Sequence, residues 1–249
     1  MNFARIESVT LRFGDKIVLQ DCTLDVKAGA ITCLIGLSGA GKSTMLRLLN
    51  GLRTPDSGRV IVKSTDLATL KQRDLIKFRQ KVGFSFQFAA LFDSLTVGEN
   101  VALPLRENTK MSEAEIAKVV HATLESVGLE NAVEQMPSEL SGGMLKRVGF
   151  ARAVVNNPEL VLYDEPTTGL DPIITHVLTD TIKRLRRQLN GTAVVVSHDL
   201  DSIYVMADYV AMLFEGAIIE YGTVEEIRRS ANPIVQQFLQ GSEVGPIPL

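Results

Sequence analysis

The sequence predicts an α/β fold: a mainly parallel sheet flanked by helices, with an N-terminal antiparallel β-layer before it and an inserted helical subdomain. Three observations lead there. A short apolar run ends in a glycine-rich loop that opens a helix. The first 35 or so residues alternate and turn, as half-buried antiparallel strands do. Residues 88–157 follow a helical period instead.

Residues 3–35 turn at Gly14-Asp15 and at Ala28-Gly29, and lead into Ala30-Ile31-Thr32-Cys33-Leu34-Ile35. That run is short, apolar and partly β-branched, as a buried parallel strand should be. Gly36-Leu37-Ser38-Gly39-Ala40-Gly41-Lys42-Ser43-Thr44 follows and matches G-x-x-x-x-G-K-[ST] at every fixed position. Met45-Leu46-Arg47-Leu48-Leu49 then forms helix readily. Strand, glycine loop and helix are the context this motif requires, that of a P-loop NTPase core. The glycines let backbone N–H groups turn inward around phosphate oxygens, and the helix N-terminus adds its positive dipole end. Lys42 is placed to reach the β- and γ-phosphates of a nucleotide such as ATP, and Ser43 to bind Mg²⁺.

Within the helical stretch, Ser112-Glu113-Ala114-Glu115 is a capping box. Behind it Ile116, Val119, Val120, Leu124 and Val127 make one apolar face. Leu140-Ser141-Gly142-Gly143-Met144 opens another helix, since Met144, Leu145, Val148, Ala151 and Val155 recur at roughly helical spacing. Ser141 before Gly142 and Gly143 makes a second anion-binding helix start. Leu160-Val161-Leu162-Tyr163-Asp164-Glu165 is an apolar run ending in two carboxylates, which suits a central strand whose tip faces a ligand crevice. There Asp164 would hold Mg²⁺ through water, and Glu165 would be the general base for the attacking water. After Asp171-Pro172, Ile174, Val177, Leu178, Ile182, Leu185 and Leu189 mark an amphipathic helix. Strands near 193–197, 209–214 and 217–221 complete the sheet. There is no internal repeat, so one nucleotide-binding domain is expected over 1–241. Its RecA-like core would be 1–87 and 158–230, its helical subdomain about 88–157, and 242–249 a C-terminal tail.

Composition narrows the function classes. With 249 residues, 45% hydrophobic and 22% charged, the chain can bury a sizeable core as one globular unit. A net charge of −3 without a long Lys/Arg tract argues against a nucleic-acid partner. Cys22 and Cys33 form no metal or redox motif and fit a reducing cytoplasm. No apolar run approaches a membrane span, and the N-terminus does not read as a signal peptide. A transport role would therefore need a separate membrane partner.

A P-loop alone also fits a GTPase, a kinase or a helicase. Ser141-Gly142-Gly143, placed between the P-loop and the acidic strand end, argues against all three. The order and spacing of these motifs resemble the ATPase domain of ABC transporters over nearly the whole chain. That resemblance implies that the P-loop of one copy faces Ser141-Gly142-Gly143 of another, so that a homodimer clamps two ATP molecules in an isologous assembly. It implies that Phe13 stacks on adenine, where Tyr is commoner; a core aromatic is the alternative. It implies that Gln87, after Val82-Gly83-Phe84-Ser85-Phe86, senses Mg²⁺ and the membrane partner. Asp171, in Gly169-Leu170-Asp171, would help pair the two sites, and His198, after Ala193-Val194-Val195-Val196-Ser197, would contact the γ-phosphate.

Within that family, the stretch from Gln87 through Phe88-Ala89-Ala90-Leu91-Phe92 to Asn100-Val101 resembles the ATPase subunit of MCE-type phospholipid transporters. Met136-Pro137-Ser138-Glu139 running into a signature with Met144 in place of Gln fits the same group, as does the end of the chain from Asn232. The group's implied partners are an integral permease, an MCE-domain lipid-binding protein and a small regulatory subunit. Its implied place is the cytoplasmic face of the inner (plasma) membrane, as a peripheral subunit. Phe86, Phe88, Leu91 and Phe92 are many large apolar residues for a loop. Part is expected in the core, and the rest in a groove near Gln87 that receives a short permease helix. The tail Gly245-Pro246-Ile247-Pro248-Leu249 cannot be helical, and its Ile and Leu suggest docking on a partner such as the second ATPase subunit; a frayed terminus is the alternative. The alternative cargo is an amino acid or other small solute. A non-transport ABC ATPase of DNA or translation processes would carry a coiled-coil insertion or tandem domains, and neither is present. A regulatory module without turnover is opposed by Glu165 and His198.

Overall fold

The computed structural model describes residues 1–248. The chain forms two compact units, Met1–Leu75 with Val194–Leu249, and Ile76–Ala193.

The first unit opens with strands β1 (Asn2–Phe13) and β2 (Lys16–Lys27), paired antiparallel with Ile6 opposite Leu24. Their buried side chains do not keep one parity. Ala4 and Ile6 point inward, then Val9 and Leu11. The register shifts between Ile6 and Val9, and Ser8 sits at φ 46. On the partner strand Asp21 sits at φ 44, and its N–H donates to Thr10 Oγ1 at 3.2 Å. Such bulges add one residue and re-aim every later side chain, so the apolar pattern skips a position without leaving the core.

Strand β3 (Ile31–Ile35) is buried at all five positions and leads through the glycine loop to α1 (Lys42–Leu49). Strands β4 (Ser57–Val62) and β5 (Thr65–Asp66) finish a four-stranded sheet in the order β2-β1-β4-β5. Helix α2 (Gln72–Arg79) runs from the first unit into the second.

The second unit contains β6 (Val82–Ser85), α3 (Val97–Asn108), α4 (Glu113–Ser126), α5 (Gly142–Val154), β7 (Leu160–Asp164) and α6 (Pro172–Leu189). Strands β6 and β7 are parallel, with Val82 opposite Leu160 and Ser85 opposite Tyr163. Capping boxes start two of the helices: Thr96 with Glu99 on α3, and Ser112 with Glu115 on α4. Each serves two backbone N–H groups that the helix itself cannot. Ile116, Val120 and Leu124 of α4 are buried, at roughly 1.5–3 kcal/mol each. On α6 the buried side is Leu178, Ile182 and Leu185. Val177, expected on that face, is exposed together with Ile173; it lies one position off the i, i+4 row.

Strand β8 (Thr192–Val196) begins in the second unit and ends in the first. The first unit continues with α7 (Leu200–Met206), β9 (Tyr209–Phe214), β10 (Ala217–Thr223), α8 (Val224–Arg228) and α9 (Pro233–Gln240). Its strands follow the order β10-β9-β3-β8, with β3 parallel to β9 and β10 antiparallel at the edge. The tail turns back on α9 of its own chain. Ile247 is buried, its N–H donating to Gln237 Oε1 at 2.7 Å and its carbonyl accepting from Gln237 Nε2 at 3.4 Å. Intrachain packing thus accounts for the apolar Ile247 without a partner. Leu249 lies outside the described residues.

Candidate functional site

In the first unit, β3 ends at Ile35 and α1 starts at Lys42, so residues 36–41 form a loop at a strand tip. Gly36, Gly39 and Gly41 take φ 139, 79 and 109, where side chains other than hydrogen are strained. Space also matters at Gly36, where a Cβ would stand 2.1 Å from the carbonyl oxygen of Leu213. Leu37, Ser38 and Gly39 are exposed, and the Ala40 N–H donates to Leu37 O at 3.2 Å. Gly41 caps α1 and brings no side chain to its first N–H groups, as an anion-binding helix start requires. Lys42 is only 6% exposed, and its Nζ donates to Gly36 O at 2.8 Å and Leu37 O at 2.9 Å. The loop carbonyls therefore hold the ammonium under the cradle. Ser43 and Thr44 follow on the first turn of α1.

His198 leaves the sheet just past β8, beside β3: the neighbouring Ser197 N–H donates to Leu34 O at 3.3 Å. It is exposed and precedes Asp199, whose carboxylate caps α7. Phe13 ends β1 and is 39% exposed, with the Arg53 guanidinium 4.9 Å from its ring centre. It is an accessible aromatic face and not a core side chain.

In the second unit, Asp164 ends β7, and Glu165 follows at φ 49. That left-handed backbone costs a non-glycine residue about 1–2 kcal/mol. Thr168 Oγ1 donates to Glu165 Oε2 at 2.5 Å. Gln87 follows β6, the parallel neighbour of β7, and is half-buried. Lys146, on α5, joins the two: its Nζ donates to the carbonyl oxygen of Gln87 and, at 3.2 Å, to that of Glu165. Burial pushes the Lys146 ammonium below its ordinary pKa, while the charges of Glu165 and Asp164 act the other way.

Ser141 is the N-cap of α5, and its Oγ accepts from the Met144 N–H at 3.3 Å. Gly142 is exposed, and Gly143 is buried against Ile174, whose Cγ2 would stand 2.6 Å from an added Cβ. Asp171 caps α6, its Oδ1 accepting from Ile173 N and Ile174 N, both at 3.0 Å.

The loop after Gln87 borders a groove of about 380 Å³ lined by Phe84, Phe86, Ala90, Phe92, Leu103 and Pro104 among others. Phe86 and Phe92 are exposed, Phe88 is 85% exposed, and Leu91 is half-buried. Two residues shape this loop. Arg152 donates to the carbonyls of Ala89 and Ala90, which sit at φ 57 and 48. The fully buried Asn100 accepts from Phe92 N at 2.8 Å and donates to the carbonyls of Phe92, Leu95 and Thr96 at 3.0–3.1 Å. Replacing Asn100 with Ala orphans these buried groups and is expected to cost about 3 kcal/mol in denaturant unfolding.

Sequence reasoning singled out none of Lys146, Arg152, Asn100 and Thr168. A signal existed for Lys146: it shares the helical row of the buried Phe150 and Ala153, so a lysine there asks for partners. Both cysteines are fully buried. Burial pushes the Cys22 thiol up to about 11, and Cys33 up as well. Thiol titration of the native protein is expected to find almost no reactive cysteine, and to find both after denaturation.

Among the residues expected to hold Mg²⁺, Ser43 of the first unit carries a hydroxyl, and in the second unit Asp164 carries a carboxylate and Gln87 an amide oxygen. These are hard oxygen ligands of the kind Mg²⁺ takes alongside water and substrate phosphates. No cluster of three or more His, Cys, Asp and Glu occurs among the described residues, so a self-sufficient protein cage for a metal is absent there. No helix of the described residues is long and apolar enough to cross a membrane.

Comparison with known proteins gives the family. The ABC transporter family model matches residues 19–168. The chain is 40% identical over 246 residues to the intermembrane phospholipid transport system ATP-binding protein MlaF of Haemophilus influenzae, covering 99% of this chain and 93% of that protein. It is 39% identical over 242 residues to the probable ribonucleotide transport ATP-binding protein mkl of Mycobacterium leprae, covering 97% of this chain and 70% of that one. A solved dimeric ATP-binding cassette in a post-hydrolysis state, bound to ADP and Pi, aligns at a TM-score of 0.81 and 33% identity, over 89% of this chain and 98% of that one. With its glycine cradle, its serine-glycine helix start and its acidic strand end, the chain belongs to the ABC transporter family.

Proposed function

We propose that this chain is the ATP-hydrolysing subunit of a transporter that moves phospholipid between membranes. The phosphate cradle around Lys42, already shaped by Gly36 and Gly41, carries the ATPase reading. The phospholipid cargo rests on similarity to MlaF across nearly the full length of both chains.

In this reading 1–241 is one ATPase domain, and two copies close on two ATP molecules. Lys42 and the amides of 36–44 neutralise the β- and γ-phosphates of one ATP. Ser141, Gly142 and Gly143 of the second copy present their helix start to the same γ-phosphate. Phe13 stacks on adenine, and Asp171 fixes the turn where the copies meet. Glu165 takes the proton of the attacking water, and His198 contacts the γ-phosphate. Mg²⁺, held by Ser43, Asp164 and Gln87, would supply charge neutralisation at the phosphates. Catalysis is then positioning and charge stabilisation, with no covalent enzyme intermediate.

The partners in this reading are an integral permease seated in the groove beside Gln87, an MCE-domain lipid-binding protein and a small regulatory subunit. The chain works at the cytoplasmic face of the inner membrane, and nucleic acid has no role. Phe88→Asp is expected to remove permease-stimulated ATP turnover while leaving ATP affinity within about twofold; equal loss of both would take the permease out of the groove. The 39% identity to mkl supports a ribonucleotide cargo as the second reading. Purification of the tagged chain from membranes in mild detergent separates the two. Recovery with a permease and bound phospholipid supports the first, and recovery with a permease that binds ribonucleotide and no lipid replaces it.

A further inference from the structure

Helix α5 is strapped to the loop after Gln87 at three successive positions on one side. Lys146 donates to the carbonyl of Gln87. Gly149 lies so close to Ala89 that an added Cβ would stand 3.2 Å from the Ala89 Cβ. Arg152 donates to the carbonyls of Ala89 and Ala90. The spacing 146, 149, 152 keeps all three on one side of a helix. Only the first of them also reaches the catalytic strand end, through the Glu165 carbonyl at 3.2 Å. Lys146 as a whole is 9% exposed, so water has limited access to replace these two bonds. Glu165 sits at φ 49, away from the common regions, a conformation that persists only where surrounding contacts support it, and the bond from Lys146 is one such contact.

We propose that Lys146 is a positioning residue: by tying the carbonyl of Gln87 to the carbonyl of Glu165, it sets the Glu165 carboxylate for water activation according to the state of the loop that faces the permease. Lys146 touches neither ATP nor water in this scheme. It acts through two backbone oxygens, and the loop moves as one piece with α5 because Gly149 and Arg152 hold it there. The scheme rests on Glu165 being the base.

The test compares the parent chain with Lys146→Met, Lys146→Arg and Glu165→Gln, each assayed for ATP turnover, for binding of a fluorescent ATP analogue and for dimer in Mg·ATP by size exclusion. Lys146→Met keeps the length and apolar body of the side chain and removes both charge-assisted bonds. Its kcat is expected to fall about 10- to 100-fold, with nucleotide affinity within about twofold of the parent. It is also expected to accumulate the ATP-bound dimer, as a hydrolysis defect does. Lys146→Arg, which keeps a donor, is expected to recover most of the loss. The proposal is overturned if Lys146→Met turns over within about twofold of the parent. It is equally overturned if turnover, nucleotide binding and dimer fall together and Lys146→Arg restores none of them, which is the behaviour of a structural lysine. Turnover by Glu165→Gln at the parental rate would instead remove the base assignment on which the scheme rests.

Discussion

Glu165→Gln is expected to bind ATP with unchanged affinity, hold the closed dimer in Mg·ATP and lose about 10²–10⁴-fold in turnover. The change is chemically narrow. Glutamine keeps the side-chain length and an oxygen that can accept from Thr168 Oγ1, which now donates to Glu165 Oε2 at 2.5 Å. The backbone carbonyl that accepts from Lys146 is untouched. What disappears is the basicity needed to take a proton from the attacking water. A fold or binding defect would lower the melting temperature and the ATP affinity together. A loss confined to kcat, with dimer accumulating, is what a missing base produces.

Lys42→Ala is expected to act one step earlier. The ammonium is buried beneath the loop and held by Gly36 O and Leu37 O, so little reorganisation is needed before it meets phosphate. Charge-assisted hydrogen bonds of this kind contribute about 1.5–3 kcal/mol each. ATP affinity should therefore weaken about 100-fold, and no closed dimer should form in Mg·ATP. Some stability should be lost as well, because Gly36 is buried and its carbonyl loses its Lys42 donor. Titration with a fluorescent nucleotide and a thermal melt distinguish these outcomes. Unchanged affinity would mean that the loop amides alone bind the phosphates.

The contrast between these residues and those found only in the structure has a physical cause. The cradle is legible because its chemistry needs contiguous residues: glycines for the turn, then Lys42 and Ser43 on the first turn of a helix. The helix starts at Ser112 and Ser141 are legible for the same local reason. Lys146 and Arg152 bind backbone carbonyls about sixty residues upstream. Any residue type supplies a carbonyl, so nothing in the upstream sequence marks the partner. Asn100 is hidden differently. It sits four residues past the Thr96 cap of α3, where an Asn can simply face solvent, and only its burial reveals that it carries four hydrogen bonds. In the first strand a bulge at Ser8 moves the parity between Ile6 and Val9, and the alternation alone does not locate it. The tail is apolar at Ile247, and nothing local in the sequence marks Gln237 of the same chain as the residue that receives it.

Reconstitution gives the most direct test of the central claim. The chain and the membrane proteins that co-purify with it are placed in vesicles carrying a fluorescent phospholipid, and lipid movement is followed on addition of Mg·ATP. Lipid movement that requires ATP, and that stops with Glu165→Gln, is the result expected. ATP turnover without lipid movement, in vesicles that instead take up ribonucleotide, would contradict it.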